Sequence, residues 1–249
     1  MELLRVEGLS RDFGGVHAVQ DATFAVESSE CLAIIGPNGA GKTTLFNLLS
    51  GQLKPTSGNI FYRGQDISGI PAHQRIQLGI GRSFQIAQLF NNLTVMENAL
   101  LAVQGTQPSR FQLLRPITGN RQMFARAKDL LSYMDLLEYT DMLVSCIPHG
   151  AQRKLEIVLS MASDAKLLLL DEPSCGLTVA ESAEITSKIC CLKKDVTVMC
   201  VAHDMELVFG IATRIMVMHH GKIIIKGEPE KIRNDPTVKE IYLGTGKSV

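Results

Sequence analysis

A glycine-rich segment near the start of the chain limits what this sequence can fold into more than any other feature. It follows the short apolar run Cys31–Ile35 and precedes Leu45, Leu48 and Leu49, which recur at helical spacing. The segment has the pattern G-x-x-x-x-G-K-[ST], and its residues are Gly36, Pro37, Asn38, Gly39, Ala40, Gly41, Lys42, Thr43 and Thr44. The sequence therefore predicts a buried strand, a tight turn and a helix, in that order.

A glycine-rich turn between a strand and a helix is suited to hold phosphate groups. Glycines let the backbone curl so that several N–H groups point at one anion, and the helix N-terminus adds partial positive charge. We expect Lys42 to contact the β- and γ-phosphates of a nucleotide and the Thr43 hydroxyl to bind Mg²⁺. The alternative is a glycine-rich turn without a ligand, and the position between a predicted strand and helix favours the phosphate site.

Two carboxylates follow a second apolar run. Asp171 and Glu172 come directly after the leucines at 167–170 and precede Pro173. An acid at the end of a buried strand can reach a Mg²⁺ ion held by the phosphate loop, so Asp171 is predicted to serve the metal. Glu172 can face the attacking water and act as the general base. Without the phosphate loop, the same pair would indicate a helix start or a solvated loop.

Apolar runs and helical periods alternate along the remaining chain. Further buried strands are predicted at 196–202 and 215–218, and one face of a helix is predicted from Ile185 to Leu192. This alternation favours an α/β fold with a mainly parallel sheet. His220 and the glycine after it separate the last strand from another apolar run, which predicts a closing hairpin.

Residues from about 87 to 152 follow a different pattern and are predicted to form a helical insertion in the α/β core. Thr94 and Glu97 have the spacing of a capping box. Apolar residues from Phe124 onward keep a helical period, and the proline- and glycine-containing segment 107–120 is predicted to be a loop.

Composition excludes several classes of protein. The 249 residues carry 25 Lys+Arg and 25 Asp+Glu, so the zero net charge gives no support to a nucleic-acid binder held by phosphate attraction. No run approaches the roughly 18 apolar residues of a membrane-spanning helix, and the N-terminus lacks a secretory-signal pattern. The six cysteines include no C-x-x-C pair and indicate buried thiols in a reduced, cytosolic protein. His219 and His220 have no ligand-spaced partner, so no metal site is expected there.

Further residues, in order, resemble those of the ATP-binding subunits of ABC transporters over essentially the whole chain. Gln85 looks like the family's Q-loop glutamine, which touches Mg²⁺, and His203 looks like the switch histidine near the γ-phosphate. Phe13 stands where the family has an aromatic residue that stacks on adenine. The family's signature segment is matched by Pro148, His149, Gly150 and Ala151.

The resemblance implies one ABC ATPase domain over residues 1–249. Its fold is a P-loop NTPase core with a mainly parallel sheet and antiparallel N-terminal strands. Residues 1–86 and 153–249 are the implied nucleotide-binding core, and 87–152 the implied helical subdomain. ATP and Mg²⁺ are the implied cofactors. The implied catalytic residues are Glu172, His203 and Gln85, and the implied metal residues are Thr43, Gln85 and Asp171.

In the family, the phosphate loop of one subunit faces the signature segment of another, with ATP between them. The implied partners are a second ATP-binding subunit, identical or related, two transmembrane permease subunits and an extracytoplasmic substrate-binding protein, with no nucleic acid. The implied location is the cytoplasm, peripheral on the inner face of the cell membrane. ATP would close the dimer and hydrolysis would reopen it.

The signature departs from the common L-S-G-G-Q form. Pro148 has neither a hydroxyl nor an N–H, and Leu159 and Thr178 stand where arginine and aspartate are frequent in the family. A Pro-aromatic-Gly signature followed by Q-R-R-L-E-I is typical of importers for branched-chain or hydrophobic amino acids, with His149 here in the aromatic position. A urea- or amide-type importer is the alternative. A soluble ABC ATPase, a small-molecule kinase and a regulatory module without turnover fit fewer of these features.

Overall fold

Two β-sheets form the frame of the molecule, and helices pack between and against them. The computed structural model describes residues 1–83, 89–106, 121–192 and 196–243. Among these residues, no helix has both the length and the apolar character needed to cross a bilayer.

The larger sheet contains the strands that the apolar runs predict. Its six strands are β3 Cys31–Ile35, β6 Ile80–Arg82, β7 Leu167–Asp171, β8 Thr197–Val201, β9 Arg214–His219 and β10 Lys222–Gly227. They lie in the order β10-β9-β3-β8-β7-β6, and neighbours are parallel except for the antiparallel pair β9 and β10. Strands β3, β7 and β8 are buried along their whole length, which explains their continuous apolar sequences. The predicted parallel sheet and closing hairpin are confirmed.

The smaller sheet is antiparallel and comes from the first part of the chain. Its four strands are β1 Glu2–Phe13, β2 Val16–Glu27, β4 Ser57–Tyr62 and β5 Gln65–Asp66. They lie in the order β2-β1-β4-β5. The antiparallel N-terminal strands that the family resemblance implies are therefore present.

The helices follow strands β3, β7 and β8 of the larger sheet, as predicted, and also lie before β6, before β7 and after β10. Their bounds are α1 Lys42–Leu49, α2 Ala72–Gln77, α3 Val95–Thr106, α4 Arg121–Tyr133, α5 His149–Ser160, α6 Val179–Leu192, α7 Met205–Ile211, α8 Pro229–Asn234 and α9 Pro236–Leu243. Short 3-10 turns lie at Leu137–Tyr139 and Val144–Cys146.

Strand β3 divides the hydrophobic core because its side chains alternate between the two faces of the larger sheet. Leu32 and Ile34 belong to a cluster with α1 and the smaller sheet. Cys31, Ala33 and Ile35 belong to a second cluster with helices α3 to α7. Helix α1 is thus held between the two sheets, and the phosphate loop that precedes it is fixed at both ends.

The predicted helical insertion contains α3, α4 and the start of α5. The capping box of α3 is confirmed, because Thr94 N donates to Glu97 Oε2 at 2.7 Å and Glu97 N donates to Thr94 Oγ1 at 3.1 Å. Helix α5 begins at His149 and runs past the predicted boundary at residue 152. The predicted loop at 107–120 lies outside the described residues.

Candidate functional site

An open cleft of about 690 Å³ lies where the phosphate loop meets the smaller sheet. It brings together the phosphate loop, part of strand β2 and two of the predicted catalytic residues, Glu172 and His203. Its lining residues are Val16, His17, Ala18, Gln20, Asn38, Gly39, Ala40, Gly41, Lys42, Thr43, Thr44, Glu172, His203 and His220.

The loop follows a path that only glycine permits at two points. Gly36 and Gly41 have φ angles of +152° and +98°. A Cβ at Gly36 would lie 2.1 Å from the Met218 carbonyl oxygen, and one at Gly41 would lie 2.2 Å from that of Ala18. The loop is therefore pressed against β9 on one side and β2 on the other, and its backbone is fixed before any ligand arrives.

Lys42 places its ammonium group inside the curl of the loop. Its Nζ donates to the carbonyl oxygens of Gly36 at 2.6 Å and Pro37 at 2.9 Å, and the residue is buried. Burial lowers the pKa of the Lys42 ammonium, while the negative charges of Glu172 and Asp171 oppose that shift. A phosphate oxygen entering the loop would offer this ammonium a stronger, charged acceptor.

Asp171 ends strand β7 and is 1% exposed. Its Oδ2 lies 3.4 Å from the Arg82 guanidinium, and its backbone N donates to Ser83 Oγ at 3.2 Å. Its Oδ1 is buried and has no hydrogen-bond partner among the described residues. Burial raises the pKa of this carboxyl, and Arg82 opposes the shift.

The unpartnered Asp171 oxygen fits a metal ion, because Mg²⁺ prefers carboxylate, hydroxyl and phosphate oxygens. In the described part of the chain, no group of three or more His, Cys, Asp or Glu side chains could hold a metal ion without other ligands. An ion at this site would therefore depend on Asp171, the Thr43 hydroxyl and the phosphates of the nucleotide.

Glu172 and His203 form a pair at the inner end of the cleft. Glu172 Oε1 lies 3.0 Å from His203 Nε2. Glu172 has a left-handed backbone with φ +50°, which costs a non-glycine residue on the order of 1–2 kcal/mol. Its backbone N donates to the Val201 carbonyl at 2.8 Å, so strand β8 helps to hold this conformation. The strained backbone directs a carboxylate toward the phosphate loop.

The predicted signature residues lie outside this cleft. Pro148 immediately precedes α5, and His149 is its first residue; both are exposed, while Gly150 and Ala151 are buried. A Cβ at Gly150 would lie 2.4 Å from Glu181 Oε1, so the α6 carboxylate leaves room for glycine alone at this position unless it moves.

Phe13, which the family resemblance places at the adenine, does not line the cleft. Phe13 is 44% exposed at the end of β1, and the Arg11 guanidinium lies 4.6 Å from its ring centroid. Its strand partner Val16 lines the cleft instead. Gln85 lies outside the described residues.

Five cleft residues were not predicted from the sequence: Val16, His17, Ala18, Gln20 and His220. Gln20 Nε2 donates to the His220 carbonyl at 3.0 Å, and Gln20 N donates to the Gly221 carbonyl at 2.8 Å. The predicted hairpin could have indicated His220 as a cleft residue, because a turn at the end of a parallel strand lies at the edge of the sheet where ligands bind. Nothing in the sequence indicated that β2 would reach this turn.

The fold and the cleft define a nucleotide-binding ATPase of the phosphate-loop class. A family model described as ABC transporter matches residues 19–175. The high-affinity branched-chain amino acid transport ATP-binding protein LivG of Escherichia coli K12 is 40% identical, over 97% of this chain and 98% of that protein. A probable branched-chain amino acid transport ATP-binding protein LivG of Archaeoglobus fulgidus is 34% identical, over 100% of this chain and 98% of that protein.

Solved structures agree with these sequence matches. A nucleotide-free ATP-binding cassette from an ABC transporter has a TM-score of 0.88 and 30% identity, covering 98% of this chain and 100% of that one. The ADP conformation of MJ1267, an ATP-binding cassette of an ABC transporter, has a TM-score of 0.88 and 29% identity, covering 98% and 99%. The chain belongs to the ABC transporter family, and it is an ATPase of the ABC type.

Proposed function

We propose that this chain hydrolyses ATP to power an importer for branched-chain or other hydrophobic amino acids. The observation that carries the ATPase assignment is the shared cleft of about 690 Å³, which is lined by Lys42 and by the pair Glu172 and His203. The cargo is supported by near full-length similarity to relatives named for branched-chain amino acid transport. The Pro148-His149-Gly150 signature supports the same subgroup.

The phosphate loop would hold the triphosphate through its backbone N–H groups and the N-terminus of α1. Lys42 would exchange its bonds to the loop carbonyls for contacts with the β- and γ-phosphates. Phe13, at the end of β1 beside the cleft, would stack on adenine with the ring face that Arg11 leaves open.

Hydrolysis requires a base that accepts a proton from water as the water attacks the γ-phosphorus. Glu172 would orient that water and accept its proton, while the bond from the γ-phosphorus to the β-γ bridging oxygen breaks. The products are ADP and inorganic phosphate. His203, bonded to Glu172, would hold the carboxylate in place and contact the γ-phosphate.

Mg²⁺, when bound, supplies positive charge that offsets the charge on the β- and γ-phosphates. Thr43 and Asp171 would hold it, together with Gln85 from the segment that joins the core to the helical subdomain. Asp171 suits this role because its buried Oδ1 has no partner among the described residues.

The signature segment lies outside its own chain's cleft, which supports a role at a second chain's nucleotide. We propose a dimer with an identical or related ATP-binding subunit, in which Gly150 and the N-terminus of α5 face the partner's γ-phosphate. Residues 1–86 and 153–249 would form the nucleotide-binding core, and 87–152 the helical subdomain. The dimer would lie on two transmembrane permease subunits at the cytoplasmic face of the membrane, with an extracytoplasmic protein delivering the cargo.

Glu172→Gln tests the catalytic assignment directly. Removal of a general base is expected to slow hydrolysis by about 10²- to 10⁴-fold. Affinity for ATP is expected to change little, because the phosphate loop is untouched. Steady-state phosphate release and equilibrium nucleotide binding measure the two effects.

Glu184→Gln is the matched control, since it removes an exposed carboxylate on α6 that pairs with Lys154 rather than with the cleft. Its turnover is expected to equal that of the unmodified chain. Unchanged turnover in Glu172→Gln would remove Glu172 as the base.

A further inference from the structure

Arg153 is a buried charged residue on α5 that the reaction described above does not use. It is 6% exposed, although arginine is rarely buried without several partners. Its guanidinium lies against the chain segment that leaves strand β7. Nε donates to the Pro173 carbonyl at 3.1 Å, and Nη2 donates to the carbonyls of Asp171, at 2.9 Å, and Glu172. One side chain thus binds the backbone of three consecutive residues, with Glu172 at the centre.

Glu156 holds the guanidinium in this position from one helical turn away. Its Oε2 accepts from Arg153 Nη1, and the residue is 8% exposed. Burial raises the pKa of the Glu156 carboxyl, and the adjacent Arg153 charge opposes that shift. The Glu156 carboxylate lies beside a buried cation that also binds three neutral carbonyls, so each member of the pair would leave an uncompensated charge if the other were removed.

The backbone that Arg153 binds includes a residue in a strained conformation. Glu172 has the left-handed φ of +50°, and its carbonyl also accepts from Cys175 N at 3.0 Å. A peptide unit held in a sparsely populated conformation persists only when its surroundings fix it. The position of the Glu172 carboxylate relative to His203 therefore depends on what holds this carbonyl.

We propose that Arg153 is a positioning residue for Glu172, which fixes the backbone so that the carboxylate stays aligned with the attacking water. The inference rests on the proposed role of Glu172. It also ties the catalytic carboxylate to α5, because the helix that begins at the signature segment carries both Arg153 and Glu156.

Arginine is required here for its shape as well as its charge. The planar guanidinium presents several donors in a fixed fork and can bind the three carbonyls and Glu156 together. A lysine ammonium on a flexible stem can keep the charge but cannot reproduce this fork. Arg153→Lys therefore separates positioning from charge.

The test measures hydrolysis and nucleotide affinity of the full chain separately. In Arg153→Lys, kcat is expected to fall by roughly 10- to 100-fold, because small misplacement of a catalytic group has effects of that size. Affinity for a non-hydrolysable ATP analogue is expected to change by less than about threefold, as for an interaction that acts only in the transition state. Combined with Glu172→Gln, Arg153→Lys is expected to add less than about twofold, because both remove the contribution of one carboxylate.

Glu156→Gln keeps the side-chain shape and decides the question if Arg153→Lys fails to fold. Its kcat is expected to fall by about 3- to 10-fold, less than in Arg153→Lys, while its nucleotide affinity changes little. Lys154→Gln, which removes the neighbouring cation that pairs with Glu184, is the control and should retain full turnover.

A kcat for Arg153→Lys within about twofold of the unmodified chain would overturn the inference. It would also be overturned if Arg153→Lys lowered kcat by the same factor in the unmodified chain and in Glu172→Gln. If Glu172→Gln alone is inactive in either of those cases, the proposed function stands without this positioning role. If Glu172→Gln is fully active, Glu172 is not the base, and the proposed catalytic role fails together with this inference.

Discussion

In the proposed site, the charge of Lys42 would act directly on nucleotide affinity, because its ammonium lies inside the loop that would hold the phosphates. Burial lowers the pKa of this ammonium, so it loses its proton at a lower pH than an exposed lysine does. A neutral amine cannot pair with a triphosphate. The same burial that positions the group therefore limits the pH range in which it works.

Nucleotide affinity is expected to fall as the pH rises from about 7 to about 10, with the loss beginning below the ordinary lysine pKa. Calorimetric titration with a non-hydrolysable ATP analogue measures this slope. Lys42→Arg is the matched variant, because a guanidinium stays charged throughout this range. Its slope with pH is expected to be flatter, whatever its absolute affinity, and equal slopes for the two proteins would contradict the explanation.

Site residues that belong to a local motif could be predicted from the sequence, whereas residues whose partners are distant in the chain could not. Lys42, Asp171 and Glu172 were predictable because each directly follows or lies within a motif at a strand end. Arg82 and Arg153 were not, since their partners lie 89 and 18 residues away in the chain and a single arginine has no periodic signal. Phe13 was placed by the family resemblance alone, and in the structure its strand partner Val16 lines the cleft.

At the scale of elements, the strands that are buried on both faces were the easiest to predict from the sequence. Strands β3, β7 and β8 are buried on both faces, so their sequences are unbroken apolar runs. Strands β1 and β2 are longer but mix buried and exposed positions, and register shifts interrupt their pairing. Such bulges break the period of two on which a strand prediction depends. Only the family resemblance indicated the antiparallel sheet.

Helix α3 offers an element-scale prediction, because its start is fixed by reciprocal bonds between Thr94 and Glu97. Thr94→Ala removes the capping hydroxyl and is expected to cost about 1 kcal/mol of unfolding free energy. In a chain of this size, that loss lowers Tm by about 2–4 °C.

Thr94→Ser keeps the hydroxyl and is expected to stay within about 0.5 kcal/mol of the unmodified chain. Thermal unfolding followed by circular dichroism measures both variants. Equal Tm values for the alanine and serine variants would show that the capping box does not stabilise α3.

At the scale of the whole molecule, the cleft exists because two sheets meet at one loop. The smaller sheet contributes β2, and the larger sheet contributes the carboxyl ends of β7 and β8. The turn after β9 joins them, since Gly221 N donates to the Ala40 carbonyl at 3.0 Å and Gln20 N donates to the Gly221 carbonyl at 2.8 Å. The signature residues lie elsewhere on the same chain, which is why the proposed catalytic unit contains two chains.

The most direct measurement is a crystal structure of Glu172→Gln grown with ATP and Mg²⁺, in which slow hydrolysis preserves the substrate. We predict a triphosphate in the loop, with Lys42 Nζ moved from the Gly36 and Pro37 carbonyls to the phosphates. We also predict a second chain whose Gly150 and α5 N-terminus contact the γ-phosphate. A cleft without nucleotide at saturating ATP, with Lys42 still bound to its own loop, would contradict the account.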